Sequence, residues 1–145
     1  MAYAYFDTSA LIKRYVAEPG RREVLNLLSR NDCVVSTVLP VEIRTALRRR
    51  VADQTLDESR IPAILKRFTA DRAFWTFIEV SREVLAAAET LVGTHPLRTL
   101  DAIHVASAQL IAARGVSSAL TFVSADHRQI TAAAVLGLNV KRIES

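Results

Sequence analysis

A single cysteine, Cys33, is all the thiol chemistry this sequence carries, and it sits in an apolar run. A disulfide scaffold is thereby excluded, and a reducing compartment is expected. Glycine and proline are scarce, four of each among 145 residues, while 50% of the residues are hydrophobic. That is a globular composition without repeat, linker or low-complexity segment, and it excludes a disordered chain. No basic segment followed by a long apolar stretch opens the sequence, so no signal peptide is expected. No apolar run reaches the roughly 18 residues of a membrane helix. These absences predict a soluble cytoplasmic protein with no membrane association. A zinc set is missing too: Cys33, His95, His104 and His127 show no recognisable ligand spacing.

What is present suffices for one domain over residues 1–145 with a sizeable core. The chain has 19 Lys and Arg against 15 Asp and Glu, a net charge of +4. The excess is concentrated between Arg44 and Arg72. There Arg44, Arg48, Arg49, Arg50, Arg60, Lys66, Arg67 and Arg72 face only Asp53, Asp57, Glu58 and Asp71. A basic surface favours polyanions such as nucleic acid, and a solvated helix face is the structural alternative.

Strand and helix patterns alternate along the chain. Ala2–Phe6 reads as a buried strand that stops at Asp7. A short helix over Ala10–Ala17 follows, closed by the turn Glu18-Pro19-Gly20. Arg21–Arg30 is helical, with Val24, Leu27 and Leu28 on one stripe, and Cys33–Val38 is a second strand. Pro40 suits the first turn of the next helix. That helix buries Ile43, Ala46, Leu47 and Val51 and turns the Arg48–Arg50 run mostly outward. Asp57 or Ser59 restarts a helix with Pro62 near its beginning and Ile61, Ile64, Leu65 and Phe68 on its apolar side. These two helices form a hairpin suited to clamping another chain. Trp75–Val80 is a third strand, and Ser81 caps a helix to about Val92. Leu100–Arg114 is a buried helix closed by Gly115. Leu120–Val123, Gln129–Leu136 and Leu138–Ile143 read as strand, helix and a more exposed strand. The pattern predicts a three-layer α/β/α domain with a mainly parallel five-stranded sheet.

Four acids fall where helices begin. Asp7 follows a strand and precedes a helix, where an aspartate N-cap is worth about 1 kcal/mol. Asp126 has the same setting, and Gln129 completes a box-like pattern. Asp101 opens a helix and suits its dipole. Glu42 is hardest to explain as a cap, because Leu39 offers no oxygen for a reciprocal box. Each acid alone has a structural explanation. Together, at the N-terminal ends of helices in an alternating chain, Asp7, Glu42, Asp101 and Asp126 are expected to converge at one sheet edge. Ionised carboxylates gathered there repel one another, and a hard divalent cation resolves the conflict. An acidic pocket in an otherwise basic body is what a metal-dependent nuclease needs.

These residues resemble the PIN-domain nucleases. The likeness runs through Asp7-Thr8-Ser9-Ala10-Leu11, Glu18-Pro19-Gly20, Val41-Glu42-Ile43-Arg44, the long Leu100–Ala108 segment beginning Leu-Asp-Ala-Ile-His, and Phe122-Val123-Ser124-Ala125-Asp126. Glu18-Pro19-Gly20 is similar to the VapC-type toxin branch. The resemblance covers the whole chain, in order. It implies a PIN-like fold in which Asp7, Glu42, Asp101 and Asp126 hold one or two Mg²⁺ or Mn²⁺ ions. Thr8, Ser9 and Ser124 would orient water or carboxylates. It further implies hydrolysis of RNA phosphodiesters by the toxin of a prokaryotic toxin–antitoxin pair, a homodimer neutralised by a cognate antitoxin that docks around Glu42–Phe74.

His104 lies one turn after Asp101; it reads first as a packed histidine satisfying a buried neighbour, and second as an acid or hydrogen-bond partner at the site. Arg98 reads as a surface loop arginine, with phosphate contact the alternative. Two other functions stay open. One is a catalytically inactive PIN-like module binding RNA or protein through its basic face. The other is a phosphoaspartate enzyme with Asp7 as nucleophile. Against the latter, Ser9 stands where haloacid dehalogenase-type phosphohydrolases place a second acid.

Overall fold

A computed structural model describes residues 2–115 and 120–145. Among them the chain runs β1 (Tyr3–Phe6), α1 (Thr8–Leu11), α2 (Arg21–Arg30), β2 (Asp32–Ser36), α3 (Leu39–Ala52), α4 (Ile61–Arg72), β3 (Thr76–Ile78), α5 (Arg82–Val92), α6 (Thr99–Ala113), β4 (Leu120–Ser124), α7 (His127–Val135) and β5 (Asn139–Arg142). Short 3-10 turns cover Ile12–Arg14 and Glu58–Arg60. The five strands form one sheet in the order β3-β2-β1-β4-β5, and every pairing is parallel.

Period-2 alternation sorts the strand side chains onto two faces. Ala4, Phe6, Cys33, Val35 and Val123 meet the apolar sides of α1 to α4. Tyr5, Val34, Leu120 and Phe122 meet α5, α6 and α7. The result is the expected three-layer α/β/α arrangement, with β1 at its centre. The edge strand β5 is mostly exposed, also as expected. Among the described residues no helix is long and apolar enough to cross a membrane.

Several boundaries differ from the sequence reading, each for a local reason. The first helix starts at Thr8 rather than Ala10, because Asp7 caps it: its Oδ1 accepts the Ala10 N–H at 3.2 Å. It gives way to a 3-10 turn instead of continuing to Ala17. β2 ends at Ser36, not Val38, because the Ser36 hydroxyl accepts the Val38 N–H at 3.2 Å and turns the chain into α3. The N-cap of α3 is therefore Val38, not Leu39, and no side chain caps this helix. β3 is shorter than Trp75–Val80, since the Trp75 N–H turns back to the Arg72 carbonyl at 3.3 Å and the Ser81 N–H to the Glu79 carbonyl at 2.9 Å. α6 is fully buried only from Asp101 to Ala108, and its last turns are half-exposed or exposed. Of the arginine run, only Arg48 and Arg49 are exposed; Arg50 is half-buried against Glu18.

Candidate functional site

The sheet extends from β1 in two directions. From β1 through β2 to β3 the helices lie on one face, and from β3 to β4 and β5 they lie on the other. The switch falls between β1 and β4, which is where an open parallel sheet forms a crevice at its carboxyl edge. A pocket of about 550 Å³ opens there. Asp7, Glu42, Asp101 and Asp126 all line it, together with Thr8, Ser9, Thr45, Arg49, Arg50, Arg98, His104 and Gln129. Acids separated by much of the chain thus reach one cavity.

Each carboxylate is held by its own donors. Asp7 extends β1, its N–H donating to the Val123 carbonyl at 3.1 Å. The Ser9 hydroxyl, 2.8 Å from both Asp7 oxygens, donates to that carboxylate. Ser9 Oγ accepts the Ala125 N–H at 3.0 Å and lies 3.3 Å from Ser124 Oγ. Ser124 Oγ in turn accepts the Asp126 N–H at 2.9 Å, so both serines tie the ends of β1 and β4 together. Glu42 Oε1 accepts from Thr8 Oγ1 at 2.8 Å and contacts His104 Nε2 at 2.6 Å. Asp101 accepts from Gln129 Nε2 at 3.0 Å on one oxygen; on the other it accepts from the Arg98 N–H at 3.3 Å and Nε at 3.4 Å. Asp126 caps α7, its Oδ1 accepting the Arg128 and Gln129 N–H groups at 2.8 and 3.3 Å. Asp7 and Asp126 are therefore helix caps and pocket walls at once. The structural and functional readings of these two residues are compatible.

Among the described residues no three Asp, Glu, His or Cys side chains stand close enough to hold one ion as they are oriented. The carboxylates share the pocket without meeting at a point, because Glu42 and Asp101 are engaged by His104, Thr8, Gln129 and Arg98. The donor chemistry nevertheless fits a hard cation. Asp7 is only 2% exposed. Burial holds its carboxyl above the ordinary aspartate value, and the His104 charge and the Ser9, Ala10 and Ser124 hydrogen bonds only partly offset this. A positive charge in the pocket would relieve that penalty. Beside Asp101, Gln129 Oε1 is buried with no hydrogen-bond partner among the described residues, an unspent neutral oxygen donor.

His104 is a packed histidine that satisfies a buried neighbour, as first read, and it also contacts a pocket carboxylate. It is 1% exposed. Its Nδ1 lies 2.8 Å from the buried Tyr5 hydroxyl, and its Nε2 contacts Glu42. Burial alone pushes the imidazolium down, but the Glu42 hydrogen bond and charge, with Asp7 and Asp101, outweigh it and raise the pKa. Desolvation keeps Tyr5 a phenol. Arg98 is at the pocket mouth with its side chain 81% exposed. Sequence reasoning missed Tyr5 and the grip of Gln129 on Asp101. A buried tyrosine in a central strand and a glutamine in the first turn of a helix carry no local signal of their own. Only the pairing of β1 and α7 with α6 reveals them.

A PIN domain family model matches residues 4–135. A ribonuclease of Mycobacterium tuberculosis, VapC45, is 32% identical over 144 residues, covering 97% of this chain and 95% of that protein. A toxin–antitoxin complex from Klebsiella pneumoniae shares the fold with a TM-score of 0.61 at 21% identity, over 88% of this chain and 89% of that chain. FitAcB from Neisseria gonorrhoeae does so with a TM-score of 0.68 at 15% identity, over 94% and 95% of the two chains. The parallel sheet, the acid-lined crevice at its switch point and these likenesses agree: the chain belongs to the PIN domain family, on its VapC-type branch.

Proposed function

We propose that this protein is a divalent-metal-dependent endoribonuclease that hydrolyses RNA phosphodiesters in the cytoplasm, as the toxin of a toxin–antitoxin pair. The reading rests on one observation: Asp7, Glu42, Asp101 and Asp126, from four separate segments, line a single pocket in a chain of net charge +4. It draws support from the relative described as a ribonuclease and the structure described as a toxin–antitoxin complex. Residues 1–145 are read as one PIN domain.

In this reading the four carboxylates hold Mg²⁺ or Mn²⁺. Such an ion would supply Lewis-acid charge to a scissile phosphate and lower the pKa of a bound water. Ser9 and Ser124 fix Asp7 against the ends of β1 and β4. Thr8 and His104 orient Glu42, with Tyr5 bracing the imidazole from behind. Gln129 aims Asp101. The basic surface attracts the phosphate backbone, as in other nucleic-acid-binding proteins. An antitoxin docks near α3 and α4, and the toxin pairs with a second copy of itself. Co-purification with the product of an adjacent short reading frame, followed by light scattering, tests both.

Asp7→Asn and Asp101→Asn should each abolish Mg²⁺- or Mn²⁺-dependent cleavage of RNA and cellular toxicity while leaving the circular dichroism spectrum unchanged. Chelation with EDTA should do the same reversibly. Full cleavage by either variant refutes the assignment. RNA binding without turnover, unaffected by chelator, points instead to the inactive module.

A further inference from the structure

The pocket carries both signs of charge: Asp7, Glu42, Asp101 and Asp126 line it, and so do Arg49, Arg50 and Arg98. Along α3, Glu42, Thr45 and Arg49 all line it, at spacings of three and four residues that keep them on one stripe. At 1.5 Å per residue, Arg49 sits about 10 Å along the helix from Glu42.

The three consecutive arginines have different fates. Arg48 is spent on Glu58 at 2.6 Å. Arg50 is spent on Glu18, with Nη2 to Oε1 at 3.0 Å, and on the Ala46 carbonyl at 3.1 Å. Lys13, 4% exposed, shares the same Glu18 at 3.6 Å, so one acid serves two cations. Arg49 is exposed and makes no ion pair or side-chain hydrogen bond among the described residues. A free guanidinium on a surplus of positive charge, in the wall of a cavity, is a fork shaped for a phosphate.

We propose that Arg49, with the Thr45 hydroxyl, forms a positioning subsite for an RNA phosphate neighbouring the scissile one, so that the bound strand runs along α3. This deepens the ribonuclease reading and rests on it. The separation from Glu42 is on the scale of a nucleotide step or two along an extended strand, which puts a phosphate near the scissile one within reach of Arg49. Such a contact fixes register and polarity without reading bases.

The test uses the full chain, Mg²⁺ and a fluorescent single-stranded RNA oligonucleotide that the wild type cleaves. Arg49→Gln should raise KM about tenfold with kcat little changed, the loss of one charge-assisted contact made equally in ground and transition states. The salt dependence of log kcat/KM should become shallower by about 0.7, one phosphate contact on a single strand. Arg49→Lys should recover part of the loss, and Arg22→Gln, the same loss of charge outside the pocket, should behave as wild type. Replacing single phosphates by neutral methylphosphonates should find one position beside the cut at which wild type and R49Q become equal. An R49Q protein with unchanged KM and salt slope overturns the subsite while leaving the ribonuclease reading intact. So does a methylphosphonate scan in which the difference never closes. A wild type that cleaves no RNA with either metal overturns both.

Discussion

Asp7 and Gln129 show what burial demands of single residues. Asp7 carries a charge into a site that is nearly closed to water and collects a serine hydroxyl, a backbone N–H and a nearby imidazole to hold it. Gln129, 3% exposed, uses its amide nitrogen on Asp101 and leaves its oxygen without a partner. Replacing it by leucine removes both the donor that aims Asp101 and the orphaned acceptor. Gln129→Leu should weaken Mn²⁺ binding about 10- to 100-fold by calorimetry, the usual effect of losing a residue that orients a ligand. The thermal midpoint should fall, because Asp101 Oδ1 is left without its donor, and the loss of the unpaired Gln129 oxygen offsets only part of that cost. Unchanged Mn²⁺ affinity would show that Gln129 does not position Asp101 for the ion.

Among the elements, the turn Glu18-Pro19-Gly20 joins parts of the fold that sequence distance separates. Glu18 ties α3 through Arg50. Gly20 opens α2 at φ +88°, and a Cβ there would lie 2.4 Å from Ile143 Cγ2 and 2.8 Å from the Glu144 carbonyl oxygen. The end of the chain after β5 thus packs directly on this glycine. Gly20→Ala should lower the urea midpoint at constant m-value. The left-handed backbone alone costs about 1–2 kcal/mol, and overpacking a buried isoleucine adds to it. An unchanged midpoint would mean that the end of the chain moves aside at no cost. Composition read this stretch correctly as a turn. It gave no hint of Ile143, because a contact between distant segments leaves no periodicity.

Across the whole molecule, stability should be bounded in pH from both sides. The Arg50 hydrogen bond holds Glu18 below its ordinary value. Burial works against Asp71, but hydrogen bonds from Arg14 and Tyr15 prevail and hold it low as well. Groups depressed in the folded state contribute stability above the ordinary carboxylate range, about 4, and lose it as pH falls through their folded values. His104 runs the other way: its raised pKa contributes stability below its ordinary value, and this is lost as pH rises through the folded one. Melting temperature measured with EDTA should therefore fall on the acid side and decline again as pH rises past the ordinary histidine value. Glu18→Gln and Asp71→Asn should each flatten the acid limb, and a limb that stays steep in both variants would assign the acid loss to other groups.

The alternation of strands and helices, the parallel sheet and the placing of acids where helices begin were legible in the residues themselves. Those features follow from local periodicity, turn residues and the chain direction that alternation imposes. Tertiary structure alone decided which groups meet. Tyr5 reaches His104 across 99 residues, His104 reaches Glu42 across 62, and one arginine of three consecutive ones has no partner at the pocket wall among the described residues. Strand order and the face taken by each crossover set those meetings. Neither is written in any single segment, because both arise from how whole layers bury their apolar sides against the sheet.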